Sequence, residues 1–239
     1  MTTVPISLGG LLQGQSRFMN QYYEVLGVSS NADELQKVGA QEDIRTVAID
    51  MTRKITPIKD LKALFKLYWL LRKEKPFIVH SHTPKAGTLG MFAAWLARVP
   101  HRLHTIAGLP LVEAAGAKRT LLNLVEKITY ACATKVYPNS IGLQKIVLEH
   151  KFTSLDKLKV IGEGSSNGID VGYFDPSQYS IEEKQNLRQQ LKLTQEDFVF
   201  IYVGRLVGDK GLNEFIAAFK NILNEHDNVQ LLLVGSHEK

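Results

Sequence analysis

The sequence predicts an α/β protein in which parallel β-strands alternate with helices, and two observations carry this prediction. Short apolar runs of strand length alternate with segments of helical periodicity along almost all of the 239 residues. The composition, with 44% hydrophobic and 22% charged residues, is that of a chain with a packed core. Because parallel strands need long crossover connections, strict alternation indicates a parallel sheet that helices cover on both faces.

The individual elements follow from local patterns of apolar residues. Short apolar runs predict strands at residues 25–29, 45–49, 77–80, 102–106, 136–137, 158–161, 198–203 and 229–234. Helical periods predict helices at residues 11–23, 58–74, 86–98, 119–131, 141–150, 181–191 and 212–224. Residues 6–12 resemble a loop between a strand and a helix. Residues 2–4 are too short for a central strand, so we expect the first strand to be trimmed or to begin upstream.

The Gly- and Ser-rich segment GEGSSNGID at residues 162–170 is the best candidate for a domain boundary. We therefore predict an N-terminal α/β domain at residues 1–165 and part of a second α/β domain at residues 166–239. The second contains a single β–α–β unit at residues 197–235. Two parallel strands and one helix cannot cover both faces of a sheet, so we expect this unit to open a larger domain.

The composition indicates the cellular environment of the protein and the classes of partner that it could bind. A single cysteine, Cys132, excludes an intrachain disulfide and a cysteine-only metal cluster, and it fits a reducing, cytoplasmic environment. The net charge of +5 favours anionic partners such as phosphates or acidic lipid surfaces. No apolar run reaches the roughly 18 residues of a membrane span, and the N-terminus has no signal-peptide pattern. The basic residues are dispersed without an aromatic platform, which argues against nucleic-acid binding.

The segment GRLVGDKG at residues 204–211 carries the strongest local signal of function. Gly204, at the end of a predicted strand, would let the backbone come close to a ligand. Arg205 offers two parallel hydrogen bonds to a phosphate, and Lys210 adds a compact charge. The helix that follows Gly211 would point its N-terminal amides at the same place. The pattern indicates a phosphate site, and an ordinary solvated loop is the alternative.

A second candidate site is the segment VHSHTPKAG at residues 79–87, which ends a strand and opens a helix. His82 and Lys85 could bind an anion, and a histidine there could also move a proton. A metal site is less favoured, because no third ligand lies nearby. Helix capping by Ser81 or Thr83, beside a partly buried His80, is the structural alternative. His104, on the next strand, is best interpreted as a core histidine.

Two further features are weaker. The pair Gly9-Gly10 resembles a loop that lets a diphosphate approach the first helix, although turns often use such pairs. Two helices, at residues 58–74 and 117–128, are basic and amphipathic. In the first, the predicted apolar stripe consists of Leu61, Leu64, Phe65, Tyr68 and Leu71. Such helices dock on anionic lipid or simply cover the core.

Taken together, these segments resemble the family-4 glycosyltransferases of the GT-B fold, in the branch that builds bacterial capsule, O-antigen and lipid-linked oligosaccharide. The resemblance covers nearly the whole chain. It is carried, in order, by residues 2–8 (TTVPISL), 23–25, 28–30, 79–87, 105–111 (TIAGLPL), 166–170 (SNGID) with Phe174, and 204–211. Several such motifs in the right order are more specific than any one of them.

The resemblance implies a Rossmann-like N-terminal domain, the first β–α–β part of a second Rossmann-like domain, and a retaining sugar transfer. The donor would be a nucleotide-sugar, such as a UDP-sugar, bound mostly by the second domain. Arg205 and Lys210 match the catalytic basic pair that contacts the donor diphosphate, with Gly9, Gly10, Gly204 and Gly211 beside it. His82, Lys85 and Asn167 match substrate-binding positions. No metal or other cofactor is expected.

The implied acceptor is a lipid-linked or saccharide substrate, and an anionic membrane surface at the inner face of the cytoplasmic membrane is a further candidate partner. The sequence departs from the family pattern in two ways. Residue 107, where relatives often carry a histidine, is alanine, so no catalytic histidine is assigned. Relatives carry an acidic pair, E-x7-E, downstream of the segment that ends here at Lys239, so we expect a fragment with little transferase activity alone. The alternatives are a non-catalytic membrane- or partner-binding fragment, or a UDP-sugar 2-epimerase of GT-B fold.

Overall fold

The computed structural model describes residues 1–165 and 168–236, apart from the side chains of residues 112, 113 and 209. The chain divides into two compact units, Met1–Ile169 and Asp170–Lys239. The helices of the first unit are α1 (Pro5–Leu11), α2 (Gln15–Met19), α3 (Ala32–Glu42), α4 (Pro57–Glu74), α5 (Pro84–Leu96), α6 (Gly116–Cys132) and α7 (Ile141–Glu149). Its strands are β1 (Leu26–Ser29), β2 (Arg45–Ala48), β3 (Ile78–Ser81), β4 (His101–Ile106) and β5 (Lys135–Pro138).

The strands of the first unit are all parallel, as the alternating pattern predicts. β1 pairs with β2. In a second group of strands, β4 lies between β3 and β5 and pairs with both. Residues 1–3 join the two groups, because the Thr2 amide donates to the Val28 carbonyl (3.0 Å) and the His82 amide donates to the Met1 carbonyl (3.1 Å). The short segment at the N-terminus therefore lies between β1 and β3, where a central strand would run.

The core of the first unit lies between its sheet and the helices packed on it. α5 is the central helix, because it contacts β3 and β4 and also both α4 and α6. Fully buried Leu67 of α4, Met91 of α5 and Val136 of β5 belong to this core. A smaller apolar cluster, which includes Leu8 of α1 and Leu35 of α3, forms where α1 packs against α3.

Three elements of the first unit differ from the sequence prediction. The predicted helix at residues 11–23 is wrong in its bounds: α1 begins at Pro5, and Gly14, with a φ of +74°, separates it from α2. Helix α3 was not predicted, because most of its residues are polar and few of them reach the core. The predicted strand at residues 158–161 is reduced to a single bridge between Leu158 and Val136.

The second unit contains α8 (Ile181–Gln190), β6 (Phe198–Val203), α9 (Leu212–Leu223) and β7 (Val229–Val234). β6 and β7 pair in parallel over their whole length, and both strands have the bounds that the sequence predicts. α8 begins with a capping box, in which the side chains of Ser180 and Glu183 accept from each other's backbone amides. Among the described residues, no helix combines the length and the apolar character that crossing a membrane requires.

Candidate functional site

The loop between β6 and α9 holds four of the predicted site residues, Gly204, Arg205, Lys210 and Gly211. It stays attached to the sheet beyond the end of the strand. The Gly204 amide donates to the Val234 carbonyl (2.9 Å), and the Leu206 amide donates to the Ser236 carbonyl (3.0 Å). These bonds fix the start of the loop at the carboxyl end of the sheet, which is where ligands bind in open α/β folds.

Two glycines permit this geometry. A Cβ atom added to Gly235 would lie 1.7 Å from the Gly204 carbonyl oxygen, so only glycine lets the ends of the two strands approach this closely. Gly211 has a φ of +73°, in the left-handed region that favours glycine, and it is the residue from which α9 begins. The sequence motif includes Gly211 but does not indicate Gly235, because the atoms that crowd Gly235 belong to the neighbouring strand.

The two basic side chains of the loop are both exposed. Arg205 follows the strand directly, and its carbonyl accepts a hydrogen bond from the Tyr202 hydroxyl (3.0 Å). Lys210 ends a short 3-10 turn, Gly208–Lys210, directly before Gly211. The loop therefore joins two exposed cations to the N-terminus of a helix, whose first amides have no partner within the helix. This combination suits a phosphate or diphosphate group.

The second predicted site, at the end of β3, is more buried than the sequence suggested. His82 is buried, and the centroid of its ring lies 4.0 Å from that of His80. His80 Nε2 lies 2.8 Å from the hydroxyl oxygen of Thr105. Burial, reinforced by the neighbouring imidazole of His80, holds the pKa of His82 far below its ordinary value. His82 is therefore neutral at physiological pH and could contact a substrate only as a neutral hydrogen-bonding group.

Lys85 also has a structural partner. Its ammonium group lies 2.5 Å from a carboxylate oxygen of Asp60, on the neighbouring helix α4, and both side chains are largely buried. Burial opposes ionisation of Asp60, but hydrogen bonds from Lys85 and Thr56 lower its pKa below the ordinary value. The charge of Lys85 is thus balanced within the protein, which makes it a weaker anion ligand than an exposed lysine would be.

The pair Gly9 and Gly10 lies in helix α1, so the predicted loop at residues 6–12 is wrong. Proline at the start of the helix supplies the φ that a first helical turn needs. A Cβ atom on Gly9 would lie 3.2 Å from Val38 of α3, whereas one on Gly10 would meet no atom within 4 Å. Gly9 thus has a packing role between the two helices, and diphosphate binding by either glycine stays a prediction. Asn167 lies outside the described residues.

His104 is buried in the core, which confirms its interpretation from the sequence. Its Nδ1 atom lies 2.8 Å from the Ser81 hydroxyl oxygen. A Cβ atom on Gly87 would lie 2.4 Å from the imidazole, so this glycine makes room for the ring. Among the described residues, no group of three or more His, Cys, Asp or Glu side chains could hold a metal ion.

At the start of α5, the hydroxyl that accepts from a helix amide belongs to Thr3, which the sequence analysis missed, and the predicted cap Thr83 makes no such bond. The hydroxyls of Thr3 and Thr83 share a hydrogen bond of 2.8 Å, and the Thr3 hydroxyl also accepts from the Ala86 amide (3.3 Å). The N-terminal segment of the chain thus satisfies an amide of a helix 83 residues away. The threonine before Pro84 is a typical signal for a helix start, but its partner could not be found from local sequence.

Comparison with known proteins identifies the family of the chain. Residues 13–140 match the family described as glycosyl transferase 4-like, and residues 183–239 match glycosyl transferases group 1. The chain is 41% identical, over 95% of its length, to the capsular polysaccharide biosynthesis glycosyltransferase CapM of Staphylococcus aureus. It is 35% identical, over 79% of its length, to the UDP-Gal:alpha-D-GlcNAc-diphosphoundecaprenol alpha-1,3-galactosyltransferase of Escherichia coli. It spans 58% and 48% of the lengths of these two relatives.

A solved structure shows the same fold. Anabaena Alr3699/HepE, crystallised in complex with UDP and glucose, superimposes with a TM-score of 0.72 at 18% identity. The superposition covers 99% of this chain and 60% of the Anabaena protein. This likeness confirms the GT-B-type α/β fold that the sequence predicts. Since a family model matches more than half of its residues, the chain belongs to the glycosyl transferase 4-like family.

Proposed function

We propose that this chain is part of a glycosyltransferase that moves a sugar from a UDP-sugar to a lipid-linked or saccharide acceptor in the synthesis of a bacterial surface polysaccharide. The relatives named for capsule and for undecaprenol-linked sugar transfer support this proposal. The observation that carries it is the β6–α9 loop, which presents Arg205 and Lys210 at the N-terminus of a helix. We propose the two domains as residues 1–165 for the acceptor and 166–239 for the donor.

The chemistry of sugar transfer explains why such a loop is useful. When the bond between the sugar and the diphosphate breaks, negative charge builds up on the departing UDP. Fixed cations and helix amides that point at this charge stabilise the transition state more than the ground state. Arg205 can hold two phosphate oxygens at once, and Lys210 can neutralise a further one. Gly204 and Gly211 keep side chains out of the way of the diphosphate.

The remaining predicted residues belong to the acceptor side or to the approach of the donor. We propose that neutral His82 donates or accepts a hydrogen bond to the acceptor, and that Lys85 and Asn167 help to position it. Gly9 and Gly10 would let the diphosphate approach α1. A polyprenyl-linked acceptor stays in the bilayer, so the enzyme would work in the cytoplasm at the inner face of the cytoplasmic membrane.

UDP binding tests the proposal directly. In isothermal titration of the chain with UDP, we expect Arg205→Met and Lys210→Met each to weaken binding about tenfold or more, since each removes a charge-assisted hydrogen bond. The matched control is Lys220→Met, which removes an exposed lysine from the last turn of α9. Binding that is the same in the two loop variants as in the unsubstituted chain would contradict the assignment of the loop.

A transfer assay tests the reaction itself. The chain is incubated with a radiolabelled UDP-sugar and an undecaprenyl-diphosphate-linked N-acetylglucosamine, and label in the lipid fraction is counted. Label that depends on Arg205 supports the proposed reaction. Absence of both UDP binding and transfer would overturn the proposal.

A further inference from the structure

The outer surface of helices α4, α5 and α6 in the first unit is unusually apolar. α5 lies between the other two helices and packs on the sheet, so the three form one layer. The face of α4 that looks into the core carries Ala63, Leu67 and Leu71. The opposite face has an exposed stripe of large apolar side chains, with one residue in each turn: Ile58, Leu61, Phe65 and Trp69.

The stripe on α4 does not stand alone. α6 repeats the same spacing, with Leu121, Leu124 and Ile128 exposed on the side away from the buried Thr129 and Tyr130. α5 adds Trp95 at its C-terminal end. The chain has two tryptophans, and both lie on this layer, with exposed fractions of 57% at Trp69 and 50% at Trp95. Large apolar patches of this kind mark interaction surfaces rather than ordinary solvent-facing helices.

The charges around the stripes have one sign. Exposed cations flank them, namely Lys59, Lys62, Lys66, Arg72, Lys73, Lys118 and Lys127. Among the described side chains of α4, α5 and α6, no carboxylate is exposed. Asp60 and Glu74 are partly buried and paired with Lys85 and Arg45, and Glu126 is buried, which raises the pKa of its carboxyl. The surface therefore combines exposed tryptophan, phenylalanine and leucine with uncompensated positive charge.

We propose that this outer surface of α4, α5 and α6 docks on the anionic face of a lipid bilayer. Tryptophan and phenylalanine lie well at the boundary between headgroups and acyl chains, and lysines beside them attract anionic headgroups. A second copy of the chain fits less well, because a symmetric contact would bring two surfaces of the same charge together. Docking of this kind is peripheral and reversible, since the helices lie on the membrane without entering its core.

The inference deepens the proposed function, because it names the surface that would hold the enzyme beside a lipid-linked acceptor. Only the role of docking, which is to bring the enzyme to its acceptor, rests on the proposed function. The docking itself follows from the exposed side chains and can be measured without donor or acceptor, so failure of docking and failure of UDP binding are separate results.

Vesicle binding tests the inference on the full chain. The probes are vesicles of phosphatidylcholine alone and vesicles in which part of it is replaced by phosphatidylglycerol. We expect the chain to sediment with the phosphatidylglycerol vesicles, and to be released by added salt, because salt screens surface charges. The fluorescence of Trp69 and Trp95 should shift to shorter wavelengths on binding and should be quenched by lipids brominated in their acyl chains.

Substitutions locate the contact. We expect Lys62→Gln with Lys66→Gln to weaken vesicle binding on the order of tenfold or more. Phe65→Gln should reduce the vesicle binding that remains in added salt, because the substitution removes an apolar contact with the lipid. The matched controls in the same unit, Lys37→Gln on α3 and Phe18→Gln on α2, alter an exposed lysine and an exposed phenylalanine outside the layer.

Three results would overturn the inference. The first is failure to bind phosphatidylglycerol vesicles, and the second is binding that the control substitutions weaken as much as the α4 substitutions do. The third is self-association in solution that Phe65→Gln abolishes while vesicles have no effect on the tryptophan fluorescence, which would assign the surface to a second copy of the chain. Circular dichroism of each variant separates a lost contact from a lost fold.

Discussion

Individual residues at the carboxyl ends of β3 and β4 show how burial sets chemistry in this protein. His80, His82 and His104 would all carry charge in mild acid if they were exposed, but His82 and His104 are buried in the first unit and His80 is half-buried. Burial lowers the pKa of His80 to about 3 and that of His104 to about 4, where the Ser81 hydrogen bond opposes the effect of burial. These imidazoles are therefore neutral hydrogen-bonding groups at physiological pH.

This burial predicts a pH dependence of stability. As the pH falls below 6.5, the ordinary pKa of histidine, the unfolded chain takes up protons at these positions while the folded chain does not. The free energy of unfolding should therefore fall between pH 6.5 and about 4, by up to about 1.4 kcal/mol per pH unit for each histidine. Urea unfolding at several pH values, followed by tryptophan fluorescence, measures the slope. His104→Asn should make it shallower, and an unchanged slope would show that His104 does not contribute.

At the scale of elements, the helices of the first unit are held together by contacts that their own sequences do not reveal. The ion pair of Lys85 and Asp60 joins the first turn of α5 to the first turn of α4. The Asp60 carboxylate also accepts from the backbone amide and the hydroxyl of Thr56, which precedes α4. One carboxylate thus caps one helix and anchors the next.

Removal of the lysine tests this role. We expect Lys85→Met to lower the free energy of unfolding by about 1–3 kcal/mol, because it leaves a largely buried carboxylate without its counter-ion. Urea unfolding provides the measurement. The control is Lys59→Met, which alters an exposed lysine next to Asp60 in sequence and should change stability by less than about 0.5 kcal/mol. Unchanged stability with weakened binding of the acceptor would instead favour the predicted substrate role of Lys85.

The two faces of α4 show where periodicity succeeds and where it fails. The sequence predicts the helix itself, because apolar residues recur at helical spacing along it. It does not predict which apolar stripe meets the core, because α4 has two. Of the five residues in the predicted stripe, Leu71 is buried, but Leu61 and Phe65 are exposed. The stripe that meets the core is the other one, with Ala63, Leu67 and Leu71.

At the scale of the whole molecule, burial is distributed unevenly between the two units. The large apolar core lies entirely in the first unit. In the described part of the second unit, Phe219 and Val229 are the buried apolar side chains, and several residues of its sheet are exposed, with Val203 at 73%. Since apolar burial is the main favourable term in folding, the second unit should be the less stable of the two.

Hydrogen exchange tests this difference. We expect the amides of β6 and β7 to exchange much faster than those of β3 and β4, because fewer buried contacts must break before they open. Exchange followed by mass spectrometry of peptic peptides resolves the two regions. Saturating UDP should slow exchange in the β6–α9 loop if the proposed donor site is correct. Equal protection of both sheets without ligand would contradict the expected difference in stability.

Local sequence patterns are enough to predict the alternation of strands and helices, the bounds of β6 and β7, and the position of the loop that carries Arg205 and Lys210. Each of these depends on residues close together in the chain, where apolar runs, helical spacing and glycines act locally. The sequence also carries the family resemblance, since that depends on the order of short motifs.

Which charges and which helix faces meet solvent depends instead on how the elements pack. In the folded chain Lys85 pairs with Asp60, His82 is buried, Gly9 packs within a helix against Val38, and the exposed apolar stripe of α4 faces outward. The Gly204 carbonyl also lies against Gly235. These features are contacts between residues far apart in sequence, and no local pattern encodes them. Whether a side chain meets water, a counter-ion or the core depends on how elements pack, and packing is settled by the whole chain at once.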